Sequence, residues 1–262
     1  MPSVSNIAVG ALVAGAAASK ARHGMNESIA RLSTGMRSMY GGDAGGQSVA
    51  NTLQARSMSW AIAARNAEDG ISAAQTAESA YLEIAALAQR LRELGIQADN
   101  AALLTTASDV AALNAEAAAI GTAINSIAEK TTFNGVSLMT QSDLTRAVGV
   151  TDDGGTVTLT FKEINDAAVS AAAGADGSAD STLKEVALGL GNLAAGIAAL
   201  KGRQAVAYAA SANLAAAAAR VEDTDFAKET ANLTKNSVLN QSAMAMVAQA
   251  NQAQSAVLAV LQ

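Results

Sequence analysis

His23 is the only histidine among the 262 residues, and the chain has no cysteine. A nucleophile–base pair, a histidine-centred metal site or a proton shuttle needs partners that are missing here. Without a thiol, neither thiolate chemistry nor a disulfide framework is available. Three other groups invite a chemical reading. Gly41-Gly42-Asp43-Ala44-Gly45-Gly46 spaces its outer glycines like a phosphate-binding loop, but Gln47-Ser48 follows where that loop places lysine. A hinge is the better reading. Glu222, Asp223 and Asp225 could be taken for a cation site, yet they lie between two helical patterns, where aspartate caps and ends helices. Arg90, Arg92 and Glu93 read as the wet face of a helix. The sequence therefore points to no catalytic residue, no cofactor site and no metal site, and to a protein that is not an enzyme.

If chemistry is not the task, packing is. Val4, Ile7, Ala11, Ala14, Ala18, Ala21, Met25 and Leu32 follow steps of three and four, or their multiples. Leu183, Val186, Leu190, Leu193, Ile197, Leu200, Ala207, Leu214, Ala218 and Val221 do the same near the other end. Such a rhythm marks helices whose stripe is covered by other helices. The fold class expected is mainly α, a long-helix coiled-coil bundle formed by N- and C-terminal segments, with a small β-hairpin region in the middle. Half the residues are hydrophobic but only 3% are aromatic, and much of the apolar content is alanine. Alanine favours helix and buries little area per residue. That suits an elongated protein completed by assembly better than a compact enzyme.

Charge and punctuation narrow the options. A net charge of −6 argues against nucleic acid. The apolar run 7–18 falls short of the roughly 20 residues a membrane span needs. Lys20 and Arg22 follow that run, whereas a cleaved signal carries its charge ahead of the apolar segment. The expectation is no membrane partner and no cleaved signal. The single proline, Pro2, leaves the rest free for long helices.

The pattern places helices over residues 5–33, 47–99, about 110–130 and 182–221, with a last one after a break at 222–225. Residues 100–108 and 167–181 read as loops, the second of them exposed. Asn134-Gly135 is a turn signal. Strands at 147–150 and 156–161 flank Asp152-Asp153-Gly154-Gly155, with Val157, Leu159 and Phe161 on one face. Two domains follow: 1–42 with 222–262 as a terminal-helix domain, and 43–221 as a helical rod carrying the β region at about 138–165.

The same residues resemble a family. Arg31-Leu32-Ser33-Thr34-Gly35-Met36-Arg37 is similar to the "RLSSGLR" region of bacterial flagellins. Gln47-Ser48-Val49-Ala50-Asn51, residues 65–76, and Thr132-Phe133-Asn134-Gly135 resemble the blocks that follow. Near the end, Arg220-Val221-Glu222-Asp223-Thr224-Asp225-Phe226-Ala227 and Ala248-Gln249-Ala250-Asn251-Gln252 recur in the flagellin order. The resemblance covers nearly everything outside about 140–185. It departs at the first residues, at the glycine-rich hinge and at Ala253, where proline is common in the family. The variable outer domains of long flagellins have no room here.

The resemblance implies a structural subunit of the bacterial flagellar filament, exported unfolded through the flagellar type III channel and extracellular when assembled. The nearest alternative it leaves is a hook–filament junction protein. Implied partners are other flagellin subunits in a homopolymer, the flagellar cap, hook–filament junction proteins, an export chaperone and a vertebrate Toll-like receptor. Arg90, Leu94, Gln97 and Glu116 fall where receptor-activating flagellins carry equivalent residues, and the family uses the same strip between subunits. Gly95 stands where serine is usual, and a mid-helix glycine is expected to loosen the strip.

Overall fold

The computed structural model describes residues 3–37, 43–100, 107–139, 142–164 and 169–260. Five helices run α1 Ser3–Thr34, α2 Ala44–Asp99, α3 Ala107–Lys130, α4 Ala175–Glu222 and α5 Phe226–Val260. Two small antiparallel sheets lie between α3 and α4. β1 Thr132–Phe133 pairs with β2 Val136–Ser137, and β3 Leu144–Gly149 pairs with β4 Thr156–Phe161. The mainly helical class with a central hairpin is as the sequence predicts. The chain forms two compact units, residues 1–55 with 214–262, and residues 56–213.

In the central unit, α2 and α4 run antiparallel. Ser57 Oγ donates to the Ser211 carbonyl (2.9 Å), Glu68 accepts from Tyr208 and Gln204 (2.6 and 2.8 Å), and Arg92 pairs with Asp180 (2.8 Å). The core beneath them contains Tyr81, Ile84, Leu91, Leu94, Ile124, Met139, Leu159, Phe161, Leu193 and Leu200, all fully buried. Leu159 and Phe161 come from one face of β4, as the alternation of that strand dictates. Tyr81 anchors the hairpin's far end, because its hydroxyl donates to the Lys162 carbonyl at 2.6 Å. Burial pushes the phenol's pKa up, so Tyr81 stays a neutral donor. Helices α3 and α4 are long and apolar enough to cross a membrane. Their stripes, including Leu113, Ile124, Val186, Leu193 and Leu200, instead face this core.

In the terminal unit, α1 and α5 are antiparallel partners. Arg22 donates to Asn240 (3.4 Å) and Met244 Sδ (3.2 Å), and Arg31 faces Glu229 (3.7 Å). Their seam is made of Ala14, Ala18, Ala21, Ser28 and Ala243. A Cβ on Gly24 would stand 2.6 Å from the Asn236 amide nitrogen, so glycine here sets how closely the helices approach.

Three expectations need correction. Helix α2 starts at Ala44 rather than 47, with Gly45 and Gly46 in its first turn. Glycine is disfavoured in a helix interior, but a capped first turn tolerates it. Helix α4 starts at Ala175 rather than 182, and the segment before it is not an exposed loop. Val169, Ala172 and Ala175 are buried, and the Ala172 N–H donates to Asn114 Oδ1 at 2.8 Å. Small residues suggest a solvent-facing loop there, but they are small because the backbone packs closely. β3 spans Leu144–Gly149 rather than 147–150, its register set by six pairs with β4. The Asn134-Gly135 signal closes the β1–β2 hairpin, with φ of 51° and 75°.

Candidate functional site: subunit-contact surfaces

The strip on the central unit is built by α2 and α3. Arg90 is exposed, and its guanidinium donates to Glu116 Oε1 through Nε (3.0 Å) and Nη2 (2.8 Å), and to Glu93 through Nη1 (2.9 Å). These bonds raise the Arg90 pKa above its ordinary value, with the Glu116 bond the largest cause. Arg90, Gln97 and Glu116 face solvent, whereas Leu94 is fully buried in the core. The fold thus brings Arg90 and Glu116 together and places Leu94 behind the strip as its support. Helix α2 continues through Gly95 to Asp99. A Cβ there would collide with the backbone nitrogen of Asp176 and lie 3.0 Å from its Cα. The glycine admits the first turn of α4 against α2.

A second site lies in the terminal unit, where the α1–α2 and α4–α5 connections meet. Met36 and Asp223 form an antiparallel bridge. The Arg37 N–H donates to the Glu222 carbonyl (2.7 Å), and the Thr224 N–H to the Gly35 carbonyl (2.8 Å). The Arg37 side chain donates to the Val221 carbonyl through Nε (3.1 Å) and Nη2 (2.9 Å), and Nη2 also reaches Asp43 Oδ2 at 2.8 Å. Its cation therefore lies at the negative end of α4 while its partner Asp43 caps the positive end of α2. Asp43 Oδ1 accepts the Gly46 N–H at 2.8 Å, and the Gln47 N–H closes on the Asp43 carbonyl at 3.0 Å. A side chain on Gly46 would overlap that carboxylate. The Gly46 bond, with Arg37 adding to it, holds the Asp43 pKa below the ordinary carboxylate value. Gly41 and Gly42 of the expected hinge lie outside the described residues.

The acidic group at the α4–α5 break serves this junction. Asp225 Oδ1 accepts the N–H groups of Ala227 (3.0 Å) and Lys228 (3.1 Å), an N-cap for α5. No cluster of three or more metal-binding side chains occurs among the described residues. His23 is exposed on α1.

The third feature is the distribution of apolar side chains in the terminal unit. Among its described residues the buried hydrophobic side chains are Ala14, Ala18, Ala21, Ala50, Ala218 and Ala243, all alanine. Many of its large apolar side chains are exposed, Val9, Leu12 (78% exposed), Val13 and Ile29 on α1 and Phe226, Val238, Leu239 and Met246 on α5, while Met25, Leu32, Leu214, Leu233 and Val247 are half-buried. A helix pair whose fully buried apolar side chains are all small, with many large ones exposed, leaves surface that water disfavours.

Two family models match the chain: the bacterial flagellin N-terminal helical region over residues 6–143, and the bacterial flagellin C-terminal helical region over residues 178–261. The chain belongs to the bacterial flagellin family. The flagellin of Halalkalibacterium halodurans is 34% identical over 90% of this chain and 91% of its own length. For the flagellin of Bacillus subtilis the figures are 32%, 90% and 92%. The flagellin of Salmonella typhimurium matches at 38% over 56% of this chain but only 29% of itself. Residues 144–177 separate the two family regions here. This is a short flagellin without an outer domain, and it is a structural subunit of the flagellar filament.

Reading this flagellin by sequence missed the Arg37–Asp43 junction. Arg37 was visible only as the last residue of a family block, and Asp43 only as a member of a glycine-rich run. The available signal was local. Asp43 stands three residues before Gly46 at the start of a long apolar-periodic segment, which is an N-cap pattern.

Proposed function

We propose that this filament subunit self-assembles into a helical tube for swimming motility, with residues 1–42 and 222–262 as the filament-core domain and residues 43–221 as a helical domain. The observation that carries this reading is the inside-out terminal unit. Each large apolar side chain removed from water contributes on the order of 1.5–3 kcal/mol. Several such groups on α1 and α5, repeated at every contact between copies, offset the several kcal/mol that association costs. Isolated helices with an alanine seam are marginal in water, so α1 and α5 gain most of their order from neighbouring copies.

The assembled protein is extracellular and reaches its place through the flagellar type III channel without a cleaved signal. A chain with no cysteine and a single proline suits that route, since nothing crosslinks it and little obstructs refolding into helices. Its partners are an export chaperone, the cap, hook–filament junction proteins and its own copies. It carries out no catalysis. Purified protein examined by electron microscopy after salt-induced or seeded polymerisation tests the reading. Long tubular filaments support it, and a chain that stays monomeric at every concentration and seed tried defeats it.

Arg90, Leu94, Gln97 and Glu116 mark a strip that serves first as a subunit interface and second as a weaker contact for a Toll-like receptor on dissociated monomer. Arg90 and Glu116 supply a paired, exposed charge, and Leu94 holds α2 in place beneath them. Arg90→Ala is expected to lower both polymerisation and binding of monomer to receptor ectodomain. Unchanged values in either assay remove that half of the reading.

A further inference from the structure

We infer that Met58 and Met246 are oxidation sites whose conversion to sulfoxide blocks assembly of this subunit. The inference rests on the filament reading above, because it requires the exposed apolar faces to be covered by other copies. The chain has 8 methionines and no cysteine, so thioethers are its only oxidisable sulfur. Among the described methionines, Met139 is buried at 1% exposure and Met25 is half-buried; Met36, 39% exposed, sits in the bridge with Asp223, and Met58 and Met246 are the most exposed at 60% and 62%. Each of these two thioethers has an exposed apolar neighbour on its side of the helix. Met58 stands one turn from exposed Ile62 on α2, and Met246 two turns from exposed Leu239 on α5. Met244 is also exposed, but its sulfur already accepts a hydrogen bond from Arg22 Nη2 at 3.2 Å.

The chemistry needs a peroxide as oxidant. The thioether sulfur attacks one peroxide oxygen, an S–O bond forms as the O–O bond breaks, and the departing oxygen leaves as water after taking up a proton. Sulfur loses two electrons and the peroxide gains them. The product is polar and chiral, and reductases of the methionine sulfoxide class reverse it. At Met58 and Met246 the new S=O dipole enters surface that assembly strips of water, where an unpartnered polar group is disfavoured. At Met244 the sulfoxide oxygen is a better acceptor for the guanidinium already beside it, so that conversion is tolerated. Monomer is therefore the vulnerable form, and the filament protects its own methionines.

Monomer treated with hydrogen peroxide, mapped by peptide mass spectrometry and then assayed by sedimentation, tests this. Met58 and Met246 are expected to gain oxygen well before Met139. The concentration needed for assembly should then rise on the order of tenfold for each methionine converted. A Met58→Leu, Met246→Leu double variant, which keeps apolar helix-forming side chains, should polymerise normally both before and after the same treatment. Preformed filaments should take up oxygen at these two positions more slowly than monomer. Wild-type protein oxidised at both positions that still assembles like untreated protein overturns the inference and leaves the filament reading standing. So does a double variant that peroxide disables as fully as wild type. Untreated protein that never polymerises defeats the filament reading, and this inference with it.

Discussion

The two compact units are built on opposite plans. The central unit buries Tyr81, Phe161 and a set of leucines and isoleucines on which α2, α3, α4 and the hairpin all converge. Among its described residues the terminal unit buries only alanines as hydrophobic side chains and turns Leu12, Val13, Phe226 and Met246 to solvent. Burial contributes in proportion to apolar area, so an alanine seam supplies a small fraction of what the central core does. The central unit has the core of a self-sufficient domain. On the proposed reading the terminal unit's surface is the interface, and its stability then depends on how many copies surround it. Composition averaged over the chain conceals this difference, because alanine and leucine both count as hydrophobic.

The largest test is removal of the C-terminal part of α5. A chain lacking residues 248–262 is expected to keep the melting behaviour of the central unit and to form no filaments. Filaments of normal length from that truncation would show that α1 and α5 are not the assembly surface. Next come two leucine truncations with opposite consequences. Leu91→Ala, in the fully buried core, should cost about 2–5 kcal/mol in denaturant unfolding. Leu12→Ala should leave monomer unfolding within about 0.5 kcal/mol of wild type while raising the assembly concentration roughly tenfold. Equal effects of the two changes on unfolding would erase the distinction between the units.

A finer test uses Gly95. On an exposed helix, Gly→Ala adds about 1 kcal/mol of stability. At Gly95 the new methyl meets the Asp176 backbone, so the sign reverses and the central unit should lose about 1–3 kcal/mol. Urea titration of Gly95→Ala decides between a helix-loosening glycine and a close-approach one.

The long periodic elements were legible because a buried stripe must repeat every three or four residues, as Ile84, Ala88, Leu91, Leu94 and Ala98 do. The β4 alternation was legible for the same reason, with Leu159 and Phe161 inward. What escaped depends on partners far away in sequence. Ala172 looks like loop until Asn114 caps it, and Gly95 looks weak until Asp176 arrives beside it. Spacing placed Arg90 and Leu94 on one face, but four residues advance a helix by slightly more than a turn. Here that small rotation separates an exposed guanidinium from a fully buried leucine. The outward side chains of α1 escaped for a different reason. Periodicity shows that a stripe exists, and it does not reveal that Leu12, Val13 and Ile29 lie off it and stay uncovered.

The smallest expected effect concerns the junction at Arg37 and Asp43. Asp43 accepts the Gly46 N–H and pairs with Arg37, and its pKa is held below the ordinary value of 3.8. A carboxylate with a depressed folded-state pKa contributes stability that is fully present above the unfolded-state pKa and is lost as pH falls through the folded-state value. The affected window therefore lies below about pH 4, and nothing at this group changes near neutrality. Exposure and salt screening keep the contribution small. Hydrogen exchange at the Gly46 and Gln47 amides, followed as the pH is lowered and corrected for intrinsic rates, should show the first turn of α2 opening in that window. Asp43→Asn keeps the cap oxygen and removes the titration, so its exchange should lose the pH dependence while staying slow at pH 7. Asp43→Ala should exchange faster at every pH. If Asp43→Asn keeps the wild-type acid profile, the carboxylate is not what holds the start of α2, and Arg37 secures this junction through the Val221 and Glu222 carbonyls alone.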